Sequence, residues 1–427
     1  MIDHDPMTLR DLFRDKDRRY LLLTASLAFL ALGTSQALYG PLYPWFRESL
    51  SLSGSAVGLI ASFHFFGATV AVLVAGFVLR RVGFKAVIIA GACIFSAGYF
   101  GFATSSRWGG ILASALLLGL GFGTLVSFNL FIDDYFGPLG AAALNLTNMF
   151  FGIGAILGPL LAGISLSLGG HRLAFLAGGA VALLLLAMTL RLRQHHPVAE
   201  TDRSGAGTAL AGTVVFLVFL ALYIAAEASA SNWIPTSLTR NHAPPFVAST
   251  MAMVWLAVSA GRLAAVPLSV HLAPHFMVLG SVGCATGMFL LARFEPAAPL
   301  AYIATGFFLG PVYPATVSWI RRVFPSRAAR IAATVMAGGG LGGIFGPPLV
   351  GAATDTFSTA VIPLAIALIL VASLLTGLGI TVFFPSRPTS AGKGQEPGRE
   401  DHQGDQERIG LVLPVGPGPV PGSAPRD

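Results

Sequence analysis

One carboxylate in this sequence lies deep inside an apolar run. Glu227 sits in LALYIAAEASASNWIP, residues 220–235, within a hydrophobic segment that begins near Ala209. Eight acidic residues fall between Tyr20 and Phe384. The other seven, Glu48, Asp133, Asp134, Glu200, Asp202, Glu295 and Asp355, lie at or near the polar ends of such runs. Inserting a carboxylate at that depth costs roughly 2.5–3.5 kcal/mol, so Glu227 is a functional candidate by default. A buried carboxyl is cheaper to hold neutral than charged, which suits a group that binds and releases a proton. The structural alternative is a protonated carboxyl hydrogen-bonded among packed helices.

Other polar groups recur at helical spacing and so share stripes. They are Gln36 with Tyr39, Asn129 with Asp133, Asn145 with Asn148, and Glu227 with Ser231, flanked by Asn232 and Trp233. Trp255, Ser259 and Arg262 form a further stripe, and Tyr302, Gly306 and Tyr313 share a broad face. Amides and carboxylates match pairs of hydroxyls, and an aromatic ring covers the apolar face of a pyranose. This chemistry would hold a sugar or polyol. The alternatives are structural. Asn and Gln also bond helix to helix. Trp45 and Trp233, at the ends of their runs, read as interfacial anchors. Arg262 is either an ion partner in a cavity or a donor to backbone carbonyls. A direct pair with Glu227 is not expected, because their heights along neighbouring helices differ by roughly 10 Å. His64 reads as a packed neutral imidazole rather than a proton relay. No metal-ligand spacing is present.

The elements that position these groups are membrane helices. The chain has 427 residues, 54% hydrophobic and only 11% charged, with mean hydropathy +0.75. Its runs of about 20 apolar residues fit spanning helices. They are continuous and rich in Leu, Ala and Gly, unlike the alternating segments of barrel strands. The first 19 residues are too charged for a signal peptide, and the following run is too long for a cleaved one. Cys93 and Cys284 lie inside apolar runs and match no metal or redox spacing.

Twelve spans are expected, at 20–43, 54–79, 86–104, 109–132, 140–167, 172–191, 209–233, 247–270, 275–293, 299–320, 328–352 and 360–384. The net charge of +7 does not indicate nucleic acid. Outside the tail, Lys and Arg favour alternate connections by fifteen to five, which puts both termini in the cytoplasm. Asp133 and Asp134, after span four, run against that bias. The division is a cytoplasmic segment (1–19), a first six-helix bundle (20–191), a cytoplasmic linker (192–208), a second bundle (209–384) and a tail (385–427). The tail is rich in Pro, Gly and charge and is expected to be disordered.

The chain repeats itself. Gly154, Gly158, Pro159 and Gly163 recur 188 residues later as Gly342, Gly346, Pro347 and Gly351, and the same offset links Trp45 to Trp233 and Phe136 to Phe324. Two like-handed halves form a parallel repeat, with a substrate site between them near the midplane. Small residues permit close helix approach and Pro permits bending, so these positions are read as packing and gating elements. The fold class is therefore all-α membrane protein, twelve transmembrane helices in two pseudo-symmetric six-helix bundles.

This pattern resembles the major facilitator superfamily. The connection after span two is similar to that family's signature, matching it at Gly76, Arg81, Gly83 and Lys85. The usual Asp is Arg80 and one basic position is Phe84, so the family's charge latch at this loop is not carried over. The stretches 143–163, 223–235, 254–263 and 310–320 resemble the fucose, glucose and mannose proton-symporter branch. The Gly-Pro motif of span five also marks drug exporters. The resemblance implies a cavity lined by helices one, four, seven and ten, assisted by five and eight. It would place Gln36, Tyr39, Asn129, Asn145, Asn148, Glu227, Asn232, Trp255, Tyr302 and Tyr313 on the substrate and Glu227 with Arg262 in proton coupling.

The expected activity is alternating-access transport of a monosaccharide or polyol by proton symport, with proton-coupled export of amphipathic compounds as the alternative. An enzyme would need a catalytic pair or metal ligands at depth, and only one deep carboxylate is present. A sensor would carry an output domain, and the tail is too poor in apolar residues to be one. The expected partners are a small-molecule substrate, protons and the lipid bilayer, without a cofactor or nucleic acid, and the protein is expected to be a monomer in the plasma (inner) membrane.

Overall fold

The computed structural model describes residues 12–196 and 210–384. The expected disordered tail and residues 197–208 of the expected linker lie outside the described residues. Among the described residues there are thirteen α-helices and no strand.

Helix α1 (Lys16–Ser49) opens on Asp15, whose carboxylate accepts from the Arg18 amide at 2.7 Å. Helix α2 (Gly54–Thr104) opens on Ser53, which accepts from Ala56. It is 51 residues long and passes through a non-helical Gly83, with φ 77° and ψ 169°. Helix α3 (Trp108–Leu125) shows what happens there. Gly119 and Gly123 lie against His64 and Ala68 in ascending order, whereas Gly121 lies against Phe95 and Gly98 against Leu118, in descending order. The two arms of α2 are therefore antiparallel, and the chain reverses at Gly83. Only glycine enters that φ region without penalty, and a Cβ there would also meet Gln194 and the His195 carbonyl.

Next come α4 (Phe128–Phe136), α5 (Gly140–Ser167) and α6 (Arg172–Leu190). They are followed by α7 (Leu210–Leu238), α8 (Pro244–His271) and α9 (Pro274–Leu291), the latter two opening on prolines. The run expected as one tenth span is two helices, α10 (Ala298–Leu309) and α11 (Val312–Val323), parted at Gly310-Pro311. Helices α12 (Ala328–Phe357) and α13 (Ile362–Phe383) complete the set. Ten stretches of the described residues are long and apolar enough to cross a membrane.

Association of helices in lipid relies on close packing rather than on hydrophobic drive. The repeated glycines supply it. A Cβ on Gly154 would strike the Leu30 carbonyl, and one on Gly158 the Thr34 carbonyl, so α5 lies backbone to backbone on α1. Gly342 and Gly346 meet the Ala221 and Ala225 carbonyls in the same way, setting α12 on α7. The repeat thus extends to contacts. Pro347 and Pro348 lie inside α12. Pro348 leaves the Ile344 carbonyl without its helical donor, and Ser62 of α2 donates to it at 2.6 Å. Gly76 differs from these repeated glycines: nothing approaches its Cβ position, so it is not a packing residue in this conformation.

The end of the molecule expected to face outward is shut. Gly54 and Gly58 of α2 press on Gly351 and Pro348 of α12, and Gly40 of α1 presses on Ser231 and Asn232 of α7. Asp355 of α12 caps α2 from across this seam, accepting from the Gly54 amide at 2.5 Å and the Ser55 amide at 2.8 Å, with Arg47 at 3.9 Å. An N-terminal carboxylate cap is worth about 1–2 kcal/mol. In Asp355→Ala the amides at the start of α2 are therefore expected to exchange hydrogen about 5–30-fold faster. Unchanged exchange in that peptide would remove Asp355 from the seam.

Candidate functional site

Glu227 is half-buried on α7, and Tyr223, one turn earlier on the same face, is fully buried. The Tyr223 hydroxyl lies 3.0 Å from Glu227 Oε1 and 2.8 Å from the carbonyl oxygen of Leu309, at the end of α10. The adjacent Gly310 carbonyl cannot be served by residue 314, a proline, and Arg262 of α8 donates to it through Nε at 3.3 Å. Arg262 and Tyr313 lie within electrostatic reach of Glu227. No ion pair joins Glu227 to Arg262 among the described residues. Four polar side chains from α7, α8 and α11 thus converge on the break between α10 and α11.

A second polar group lies on α4 and α5. Asn148 donates through Nδ2 to Asn129 Oδ1 at 3.1 Å and to the Leu144 carbonyl at 2.9 Å. This is the helix-to-helix bond that intramembrane amides form. Asn145 and Asn148 are nevertheless exposed, and Asn129 and Gln36 are half-buried.

Several expected positions turn out to be packed away. Tyr39 is 2% exposed and points at α2, its hydroxyl 3.0 Å from His64 Nδ1. His64 is itself buried, against Phe65 and Phe122. Asn232 donates to the Ala228 carbonyl at 2.8 Å within the shut seam. Trp255 is buried with Ala37, Ala155 and Val258. Tyr302 and Tyr313 lie on either side of Gly310-Pro311 and meet α7 at different heights. Tyr302 packs on Phe289, with its hydroxyl 2.8 Å from Ser237 Oγ, while Tyr313 approaches Glu227. Trp233 is no interfacial anchor. It is fully buried, edge-on to Tyr43, and its indole N–H donates to the Pro347 carbonyl at 2.8 Å.

At the opposite end, Arg81 is exposed and Lys85 half-buried. The loop they flank is held by the segment after α6. Gln194 donates to the Val82 carbonyl at 2.6 Å, and the Phe84 amide donates to the His195 carbonyl at 2.9 Å. His195 also pairs with Asp134 at 2.6 Å. Asp134, one of the two acidic residues that run against the charge bias, therefore has a histidine partner.

Among the described residues, several polar atoms are buried without a hydrogen-bond partner. They include Ser229 Oγ, Ser231 Oγ, Asn232 Oδ1, Thr236 Oγ1 and Trp255 Nε1. Each such atom costs about 1–3 kcal/mol in a permanently dry position.

Sequence reasoning missed Tyr223, although its four-residue spacing from Glu227 was a usable signal. It also missed the carbonyls of Leu309 and Gly310 as acceptors.

The Major Facilitator Superfamily model matches residues 25–303 and 273–416. The Staphylococcus aureus (strain N315) multidrug efflux pump SdrM is 26% identical over 184 residues, 42% of this chain and 41% of the pump. The matches thus span about two-fifths of the length of the curated relatives. Among solved structures, the nucleoside transporter NupG superposes with TM-score 0.68 at 15% identity, covering 87% of this chain and 100% of NupG. The E. coli fucose:proton symporter FucP superposes with TM-score 0.56 at 20% identity, covering 84% and 98%. At these identities the structural likeness establishes the fold alone. The family match, the fold and the apolar helices agree: this chain belongs to the Major Facilitator Superfamily and is a multi-pass integral membrane protein.

Proposed function

We propose that this protein carries a small polar solute, a monosaccharide or polyol, across the plasma membrane by alternating access, in symport with a proton. The observation that carries this reading is the half-buried Glu227 among Tyr223, Arg262 and Tyr313. The carboxyl is the titratable group, and the exposed amides of Asn145 and Asn148, with Asn129 and Gln36, offer hydrogen bonds to hydroxyls. The fold-level likeness to FucP, itself a fucose:proton symporter, fits this chemistry.

The same reading sets the architecture. Reversal of α2 at Gly83 and division of the stretch Trp108–Ser167 between α4 and α5 turn ten long stretches into twelve passes. The repeat groups them as two six-helix halves, 20–191 and 209–384, and the charge bias keeps both termini in the cytoplasm. The partnerless polar atoms at the shut seam fit a face that is dry in one state and wet in the other. Tyr39, Asn232, Trp255 and Tyr302 then meet solute or water only after the halves rock. The carrier acts as a monomer, with solute, protons and lipid as its partners.

Thermal-shift screening of the purified full-length protein against monosaccharides, polyols, nucleosides and ethidium tests the substrate class. Stabilisation by a sugar or polyol that varies with pH is expected. Stabilisation by ethidium alone, with drug resistance in an overexpressing strain, would favour export, the reading supported by the likeness to SdrM.

A further inference from the structure

We propose that Tyr223 is a positioning residue that reports the protonation of Glu227 to the break between α10 and α11. The inference rests on the reading of Glu227 as the coupling carboxyl. It begins from proton counting. A tyrosine hydroxyl has one hydrogen to donate and can accept others. The Tyr223 oxygen lies within hydrogen-bond distance of two acceptors, the Leu309 carbonyl at 2.8 Å and Glu227 Oε1 at 3.0 Å. A carbonyl can only accept, so the Tyr223 hydrogen goes to Leu309. The contact with Glu227 is then a hydrogen bond only if the carboxyl supplies the hydrogen. The arrangement satisfies the Tyr223 hydroxyl, the Leu309 carbonyl and Glu227 Oε1 with Glu227 protonated, and it leaves two oxygens facing each other if Glu227 is ionised and Tyr223 stays put.

The alternative state follows from the same count. When Glu227 releases its proton to water, the Tyr223 O–H rotates from Leu309 to the carboxylate, a charge-assisted and stronger bond. No covalent bond other than the carboxyl O–H breaks. The Leu309 carbonyl then loses the Tyr223 hydrogen bond at the point where the helix is already interrupted, at Gly310-Pro311. One proton thereby changes how firmly the break is tied to α7. Arg262 holds the neighbouring Gly310 carbonyl to α8, and of these two ties the Tyr223 tie is the one whose hydrogen moves with this proton.

The groups facing Glu227 are few. Tyr223 lies on its own helix, Arg262 comes from α8 and Tyr313 from α11. Helices α12 and α13 also pack on α7 but carry no titratable side chain between Ile331 and Ala353 or between Ile362 and Phe383. Helix α1 contributes only tyrosines between Tyr20 and Phe46, and α10 only Tyr302, which bonds Ser237. Helix α2, which also touches α7, carries His64 bonded to Tyr39, Tyr99 bonded to the Ala31 carbonyl, the exposed Cys93, and Arg80, Arg81 and Lys85 around Gly83. A titration signal arising at Glu227 therefore has one hydroxyl positioned to follow it directly.

Infrared difference spectroscopy of the substrate-free full-length protein in lipid nanodiscs, stepped through pH, tests this without knowledge of the solute. A protonated-carboxyl C=O band and a tyrosine C–O–H mode are expected to change at one shared midpoint. Glu227→Gln is expected to lose both changes. Tyr223→Phe is expected to lose the tyrosine change and to retain a carboxyl band at a displaced frequency. A tyrosine change that survives in Glu227→Gln with its midpoint unmoved, while the carboxyl change disappears, overturns the relay and leaves Glu227 as the titrating group. A carboxyl change that survives in Glu227→Gln overturns the reading of Glu227 itself. Should Tyr223→Phe fail to fold, the wild-type and Glu227→Gln spectra still decide.

Discussion

Proteoliposomes bearing Glu227→Gln are expected to equilibrate solute across the bilayer but not to concentrate it. With one proton per solute, a gradient of one pH unit supplies about 1.4 kcal/mol and sustains about tenfold accumulation. Glutamine keeps the volume of the side chain and a partner for the Tyr223 hydroxyl, yet it cannot bind and release a proton. The variant should therefore fold and exchange solute in counterflow at near wild-type rates while its accumulation ratio falls to about one. Undiminished uphill uptake would move coupling to another group. Within the described spans such a group is hard to find: His64 is buried against Tyr39, and the remaining acidic side chains sit near the ends of hydrophobic runs.

The second large effect is structural. Gly154→Ala and Gly342→Ala each place a Cβ against a backbone carbonyl, of Leu30 and of Ala221. A side chain in the way could change rotamer, but a carbonyl can retreat only if the helix moves. Overpacking of this kind costs about 3 kcal/mol, a large part of the 5–15 kcal/mol that typically separates folded from unfolded protein. Both variants should aggregate or melt early in detergent, and the two should behave alike because they occupy equivalent contacts. Gly76→Ala is the control. Nothing lies near its Cβ position, and alanine favours a helix by up to about 1 kcal/mol. Equal stability of all three variants would show that the close α1–α5 and α7–α12 approaches do not hold the fold.

Much of this was legible because it depends on local pattern. Hydrophobic run length gave the helices, and a shared offset of 188 gave the glycine contacts that the structure repeats on α1 and α7. Glu227 stood out by depth alone. What was not legible depends on direction and distant contact. Trp233 ends its run, which suggests an interface, yet Pro347 receives its N–H from more than a hundred residues away. The sequence shows Pro311 and Pro314 but not that the freed Gly310 carbonyl would draw Arg262. Two amide positions, Asn129 and Asn148, were recognised as members of polar pairs within their own helices, whereas the hydrogen bond between side chains joins them to each other across helices.

The most direct test of proton-coupled import is the pH change evoked by solute. A monosaccharide or polyol that stabilises the protein in the thermal-shift screen is added to lightly buffered proteoliposomes without an imposed gradient. The account predicts alkalinisation of the external medium on solute entry in wild type and none in Glu227→Gln. Acidification in wild type, or solute entry with no pH change at all, would contradict it.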